Sequence, residues 1–284
     1  MFFRSFKMKN FTKLQLLNKE VSYIFLSLFH PKRNNACALD KFIHEELNKS
    51  HSSIFWGDRL LTLDKSCGFL EKTEFKRAYN KIHGNHKYDQ YNGPHTVAWR
   101  LHTLCWAAQE ALSLPGDFME CGTFKGDFAW VVSQCVDFAK AGKIFYLHDS
   151  FEGFSKEDTT VDQGYADFAN PIYQEVGIYE SVLKRFAMNP NVKVTRGYLP
   201  SALDPIHPAQ ISFLHMDLNS PGAEVETLRK LWPRIVAGGF IIFDDYGWKV
   251  FAKQKESEDQ FALEHGLSIL ELPTGQGLLI KKDF

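Results

Sequence analysis

The pattern of apolar and polar positions changes character near residue 117. Upstream, residues 1–90 show no regular alternation of strands and helices, and only 14–29 and 40–47 predict short helices. The stretch 83–95 (HGNHKYDQYNGPH) is rich in Gly, Asn and His and marks a break. A helix is predicted over 96–112, where Val97, Leu101, Leu104, Ala108 and Leu112 recur at helical spacing, and Pro115-Gly116 ends it. Downstream, short apolar runs alternate with helix-length segments. Strands are predicted at 117–121, 143–149, 192–196, 211–217 and 238–244, and a final pair at 268–272 and 277–282. Helices are predicted from the glycine turn after the first run to 139, and over 175–187, 223–232 and 252–265. The polar and aromatic stretch 150–171 reads as a loop or lid. The turn 273–276 (PTGQ) makes the last two strands antiparallel. Strands alternating with helices imply a parallel sheet covered on both faces.

Composition adds size and charge to this picture. The 284 residues are 44% hydrophobic and 24% charged, enough for a substantial core, and 25 are Phe. The formal net charge of −1 hides an asymmetry, for residues 1–100 carry 17 Lys+Arg against 9 Asp+Glu. Such a basic front end reads first as solvated charge on an accessory helical region, with an anionic substrate or a membrane surface as the alternative. Five cysteines (Cys37, Cys67, Cys105, Cys121, Cys135) show no zinc spacing, which fits free thiols in a cytoplasmic setting. The apolar run 21–29 is too short to span a bilayer, and the His30-Pro31-Lys32-Arg33 after it is a poor approach to a signal-cleavage site. Neither stable membrane insertion nor a nucleic-acid partner is expected.

Candidate chemistry gathers where the predicted parallel strands end, the place where open α/β sheets bind ligands. The first strand runs into Glu120-Cys121-Gly122-Thr123-Phe124-Lys125-Gly126-Asp127. Its glycines would let the backbone pass close to a ligand, and the following helix would point free amides at an anionic group. The ExGxxxG spacing is not the dinucleotide GxGxxG, which disfavours a nicotinamide oxidoreductase. The second strand ends at Asp149, 23 residues beyond Gly126, where a carboxylate can accept hydrogen bonds from both ribose hydroxyls or, more plainly, cap a turn. His148, on the opposite strand face, reads as structural. The next two strands end in Asp217 and in Asp244-Asp245. Three carboxylates on one rim repel unless a cation compensates them, and an oxygen-only set favours Mg²⁺ or Mn²⁺ over Zn²⁺. Helix capping is the alternative. His215, two residues before Asp217 on the same face, reads as a core residue.

The motifs DFMECGTFKG, HDSFEGF, FLHMDLNSP and LWPRIVAGGFIIFDDYG, in this order across about 96–284, resemble the macrocin O-methyltransferase (TylF) family. The resemblance implies a Rossmann-like class I methyltransferase fold over 96–284, with a mostly parallel seven-stranded sheet and an antiparallel last strand; residues 1–95, outside the resemblance, read as an N-terminal helical extension or lid. It implies S-adenosylmethionine (SAM) as methyl donor, Mg²⁺ or Mn²⁺ as cofactor, a hydroxyl, of a sugar or a sugar-containing metabolite, as acceptor, and a homo-oligomer. Carried onto this chain, it places SAM at Glu120, Gly122, Thr123, Phe124, Gly126, Asp149, Ser150, Gly197 and Asp217. It places the metal at Asp217, Asp244 and Asp245, with Asp217 taking the hydroxyl proton. The family's DGDLYES reads Asp217-Leu218-Asn219-Ser220-Pro221-Gly222-Ala223 here, and the second glycine of its turn is Asp127. Two other readings stay open: a metal-independent methyltransferase acting on another atom, and a catalytically silent fold serving as a scaffold.

Overall fold

The computed structural model describes residues 45–82, 96–203 and 208–283. The helix expected over 14–29 and the break at 83–95 fall outside them, as does most of 40–47. Contacts divide the chain into two compact units, 1–56 with 61–66, and 57–60 with 67–284. In the first unit Asp64 accepts hydrogen bonds from the Ser52 amide at 2.6 Å and the Ser52 hydroxyl at 2.8 Å, and pairs with His51 Nδ1 at 2.7 Å.

Strands β1 (Ile54–Gly57) and β2 (Leu60–Leu63) form a hairpin. Its two turn residues, Asp58 and Arg59, both have positive φ (50° and 59°), as a two-residue hairpin of the right twist requires. The sequence gives no Asn-Gly or Asp-Gly signal there, so this hairpin went unpredicted. Helix α1 (Thr73–Ile82) buries Phe75, Ala78, Tyr79 and Ile82, one apolar stripe at helical spacing. Helix α2 (Ala98–Glu110) carries a buried stripe that includes Leu101, Leu104 and Ala108, with Arg100 among them.

The second unit is built on a seven-stranded sheet. Its strands are β3 (Asp117–Cys121), β4 (Phe145–Asp149), β5 (Val192–Arg196), β6 (Ile211–Met216), β7 (Ile235–Phe243), β8 (Leu270–Glu271) and β9 (Gly277–Ile280), in the order β5-β4-β3-β6-β7-β9-β8. Strands β3 to β7 are parallel; β9 runs antiparallel to β7 and to β8. The remaining helices are α3 (Asp127–Cys135), α4 (Gln163–Tyr173), α5 (Ile178–Phe186), α6 (Pro221–Leu231) and α7 (Ala252–Glu264). All six residues of β6 are buried, as a central strand covered on both faces demands. This is the fold class the sequence predicts. No described helix is long and apolar enough to cross a membrane.

One predicted element is corrected. Residues 163–171, expected to belong to a loop, lie in α4, which Asp162 caps by accepting from the Tyr165 amide at 2.9 Å. Pro171 lies in its last turn, where few residues remain to be disrupted, and Ala166 and Ala169 bury its inner face. The fifth parallel strand is also longer than predicted, beginning at Ile235.

Candidate functional site

Strand order reverses between β3 and β6, and the register there decides which side chains meet. Glu120 lies opposite His215, and Met216 opposite Phe243. The next step of the ladder continues past the strands: the Asp217 amide donates to Cys121 O at 2.8 Å and the Asp244 amide to Met216 O at 2.9 Å. Asp217 and Asp244 are therefore brought side by side. A cavity of about 730 Å³ opens over these strand ends.

Eight of the nine residues the sequence places at the donor line that cavity: Glu120, Gly122, Thr123, Phe124, Asp149, Ser150, Gly197 and Asp217. Gly126 does not. It is glycine because its φ is +72° and because a Cβ would stand 2.9 Å from the Phe186 ring on α5. Gly122 also owes its lack of a Cβ to the protein, since one would fall 1.8 Å from the Asp217 carbonyl oxygen. Asp149 makes the turn-capping contacts of its plainer reading. Its Oδ1 accepts from the Phe151 amide at 2.6 Å, closing a turn, while its Oδ2 accepts from the Phe124 amide at 2.7 Å and ties the glycine turn to β4. Burial, working against these two amides, raises the Asp149 pKa. His148 is structural, held by Thr195 Oγ1 at 2.6 Å and by Gly197 O at 3.0 Å.

The acidic rim is more elaborate than three aspartates. Arg100 reaches it from α2: its Nη1 donates to Asp244 Oδ2 at 2.5 Å and to Asp245 Oδ1 at 3.0 Å. Its Nε and Nη2 grip Asp58, the hairpin-turn residue, at 2.5 and 3.2 Å. On the other side, His215 Nδ1 lies 2.9 Å from Glu120 Oε2 and its Nε2 lies 3.6 Å from Asp244 Oδ1. Burial opposes a charge on His215, but Asp244 and Glu120 outweigh it and lift its pKa to about 10. Asp244 is buried too, yet Arg100 and His215 hold it well below the usual carboxylate range. Burial lifts Asp245 to about 7 against the pull of Arg100, helped by the charge of Asp244. Burial and the charges of Asp244 and Asp245 push Asp217 well above its ordinary value.

Arg100 and His215 thus face a set of carboxyl groups (Asp58, Glu120, Asp217, Asp244, Asp245), and burial raises the pKa of all of them but Asp244. One ligand atom each of His215, Asp217 and Asp244 falls within 4.8 Å of the others, a spacing that can hold a metal ion. Asp245, which the sequence groups with Asp217 and Asp244, stands outside that triangle, bonded to Arg100.

Sequence reasoning did not find Arg100 or Asp58, and assigned His215 to the core. The signal for Arg100 was a charge on the apolar stripe of a helix, a position that charged residues rarely take unpaired. Asn219, the departure from the family pattern, is buried with φ +55°; its Nδ2 donates to Asp217 Oδ1 at 3.1 Å, and its Oδ1 has no partner among the described residues. Glu224 shapes this turn by accepting from the Leu218 and Asn219 amides at 2.9 and 3.0 Å. Across the cavity, α4 presents Tyr165 and Tyr173, whose hydroxyls lie 3.0 Å apart.

The O-methyltransferase NovP has the same fold, with a TM-score of 0.60 at 15% identity over 76% of this chain and 98% of that one. The mycinamicin III 3''-O-methyltransferase of Micromonospora griseorubida is 25% identical over 190 residues, 60% of this chain and 70% of the relative. The sequence model of the macrocin O-methyltransferase (TylF) family matches residues 94–269, the segment that carries both the glycine turn and the acidic rim. The chain belongs to the macrocin O-methyltransferase family and is a SAM-dependent O-methyltransferase.

Proposed function

We propose that the protein methylates a hydroxyl of a sugar or sugar-containing small molecule, with Asp217 as the group that takes the hydroxyl proton. The observation that supports this reading is the position of Asp217, which lines the cavity together with the residues of the glycine turn and also belongs to the acidic rim. Burial and neighbouring charge make its carboxylate a stronger base than an ordinary aspartate. Asp149 would hold the ribose of SAM, and the glycine turn its methionine end. The 3''-O-methylation named for the mycinamicin relative supports a sugar as acceptor. Incubation with SAM and a panel of glycosides, read by mass spectrometry for methylated product, tests the reading. Methylation of nitrogen or carbon acceptors alone would defeat it.

The aromatic wall bears on acceptor recognition. Tyr165 and Tyr173 can share hydrogen bonds with sugar hydroxyls beside the reacting one, while Phe154 packs on both rings at 5.8 and 5.7 Å. Tyr173→Phe is expected to raise the acceptor KM about 3- to 10-fold, the worth of one hydrogen bond, with kcat changed less than about twofold. Steady-state kinetics with the best glycoside checks this.

We also propose that a divalent cation works at the rim, held by Asp217, Asp244 and Asp245. Asp217 and Asp244 belong to the compact triangle, and Asp245 would join them by giving up its 3.0 Å contact with Arg100. His215, charged at neutral pH, is a poor ligand and a better clamp for Asp244 and Glu120. When bound, the cation would supply Lewis acidity at the acceptor oxygen.

Proton linkage gives a test. Folded Asp245 keeps its proton up to about pH 7, whereas an unfolded aspartate loses it near ~4. The native state therefore binds more protons across that window, and stability of the metal-free protein falls as pH rises through it. A cation that replaces those protons should raise Tm more at pH 8 than at pH 5. Thermal unfolding with Mg²⁺ or EDTA measures this, and an equal shift at both pH values, or none, would sink the metal assignment.

A further inference from the structure

Helix α3 begins with an acidic residue at the place where the donor's own carboxylate is expected. Asp127 is the first residue of α3, is 4% exposed and lines the cavity. The first amides of a helix have no partner inside it and suit an anion, here the methionine carboxylate of SAM. Two carboxylates at one helix terminus repel. The chain answers with Arg185 of α5, whose Nη1 donates to Asp127 Oδ1 at 2.5 Å and to Lys125 O at 2.7 Å. The same helix closes on the turn through Phe186 and Val182, which lie against Gly126.

We propose that Arg185 is a positioning residue for the methyl donor, cancelling the charge of Asp127 so that the N-terminus of α3 can accept the donor carboxylate. The proposal rests on the placement of SAM given above. The bridge explains how this turn works with Asp127 where the family pattern has a second glycine: the added carboxylate arrives with its own counter-charge. Arg185 does not line the cavity, so its effect would reach the donor through Asp127 and belong to donor binding.

Calorimetry at pH 8 with two probes separates charge from scaffolding. One is S-adenosylhomocysteine; the other is S-adenosyl-3-thiopropylamine, the same molecule without its carboxylate. Arg185→Met is expected to weaken S-adenosylhomocysteine about tenfold or more while moving the decarboxylated probe less than about twofold. Adding Asp127→Asn to Arg185→Met is expected to bring S-adenosylhomocysteine back to within about threefold of the unaltered protein. Equal weakening of both probes, or a double variant as weak as Arg185→Met, would overturn the proposal and leave Arg185 as a tie between α5 and the turn. Failure of the unaltered protein to bind S-adenosylhomocysteine would instead bring down the donor placement, and this inference with it.

Discussion

Asp217→Asn is expected to lower kcat/KM about 10²- to 10⁴-fold, the span that loss of a positioned proton acceptor covers. The substitution keeps shape and removes charge. Asp217 sits at the tip of the fully buried strand β6, with its amide fixed to Cys121 O and one carboxylate oxygen bonded to Asn219. An amide there can neither take the hydroxyl proton nor balance a divalent cation. Folding should not suffer, because the carboxylate already stands against burial and the charges of Asp244 and Asp245. Its removal relieves that repulsion, so Tm should hold or rise. S-adenosylhomocysteine should still bind within about threefold, since the donor site proposed above rests mainly on the glycine turn and Asp149. A variant that retains more than a third of the activity would refute the role given to Asp217.

The parts of this site legible in the sequence are those carried by strand ends. Runs such as DFMEC and ISFLHM are continuously apolar or nearly so, are bounded by turn residues, and belong to strands buried on both faces. Once they are strands, the residues after them must share a rim, which makes Asp149, Asp217, Asp244 and Asp245 legible in the sequence. Contributions from other elements were harder to see. Arg100 lies some 144 residues before its partner Asp244, and nothing local marks that pairing. Asp58 is delivered by a hairpin turn that holds two non-glycine residues at positive φ, a strain no propensity rule anticipates. Helix α4 was hidden by Gly164 and Pro171, which read as breakers although one sits in its first turn and the other in its last. Helix α1 was visible in principle, since Phe75, Ala78, Tyr79 and Ile82 keep a helical period. His215 shows the limit of reading residues singly. A histidine inside a strand is usually core, and this one is buried, but the register sets it between two carboxylates and so gives it a charge.

Arg100→Met should destabilise the protein by about 3–5 kcal/mol at neutral pH, the scale for removing one partner from a buried ionic network. Met preserves most of the packing of the side chain on the α2 stripe, so the loss should come from charge. Asp58, Asp244 and Asp245 would be left facing one another, with His215 still beside Asp244. Their native pKa values would rise, the native state would hold protons that the unfolded chain releases, and stability would fall as pH increases. Denaturant unfolding should therefore show a larger deficit at pH 8 than at pH 5. Two rescues follow from the same cause. Asp58→Asn added to Arg100→Met removes one of the stranded charges and should recover part of the loss. Mg²⁺ should stabilise Arg100→Met more than the unaltered protein, because the cluster then lacks its built-in cation and Asp245 is released from its 3.0 Å contact. A deficit below about 1 kcal/mol, the scale of an exposed pair, or one independent of pH would mean that the guanidinium does not balance this acidic rim.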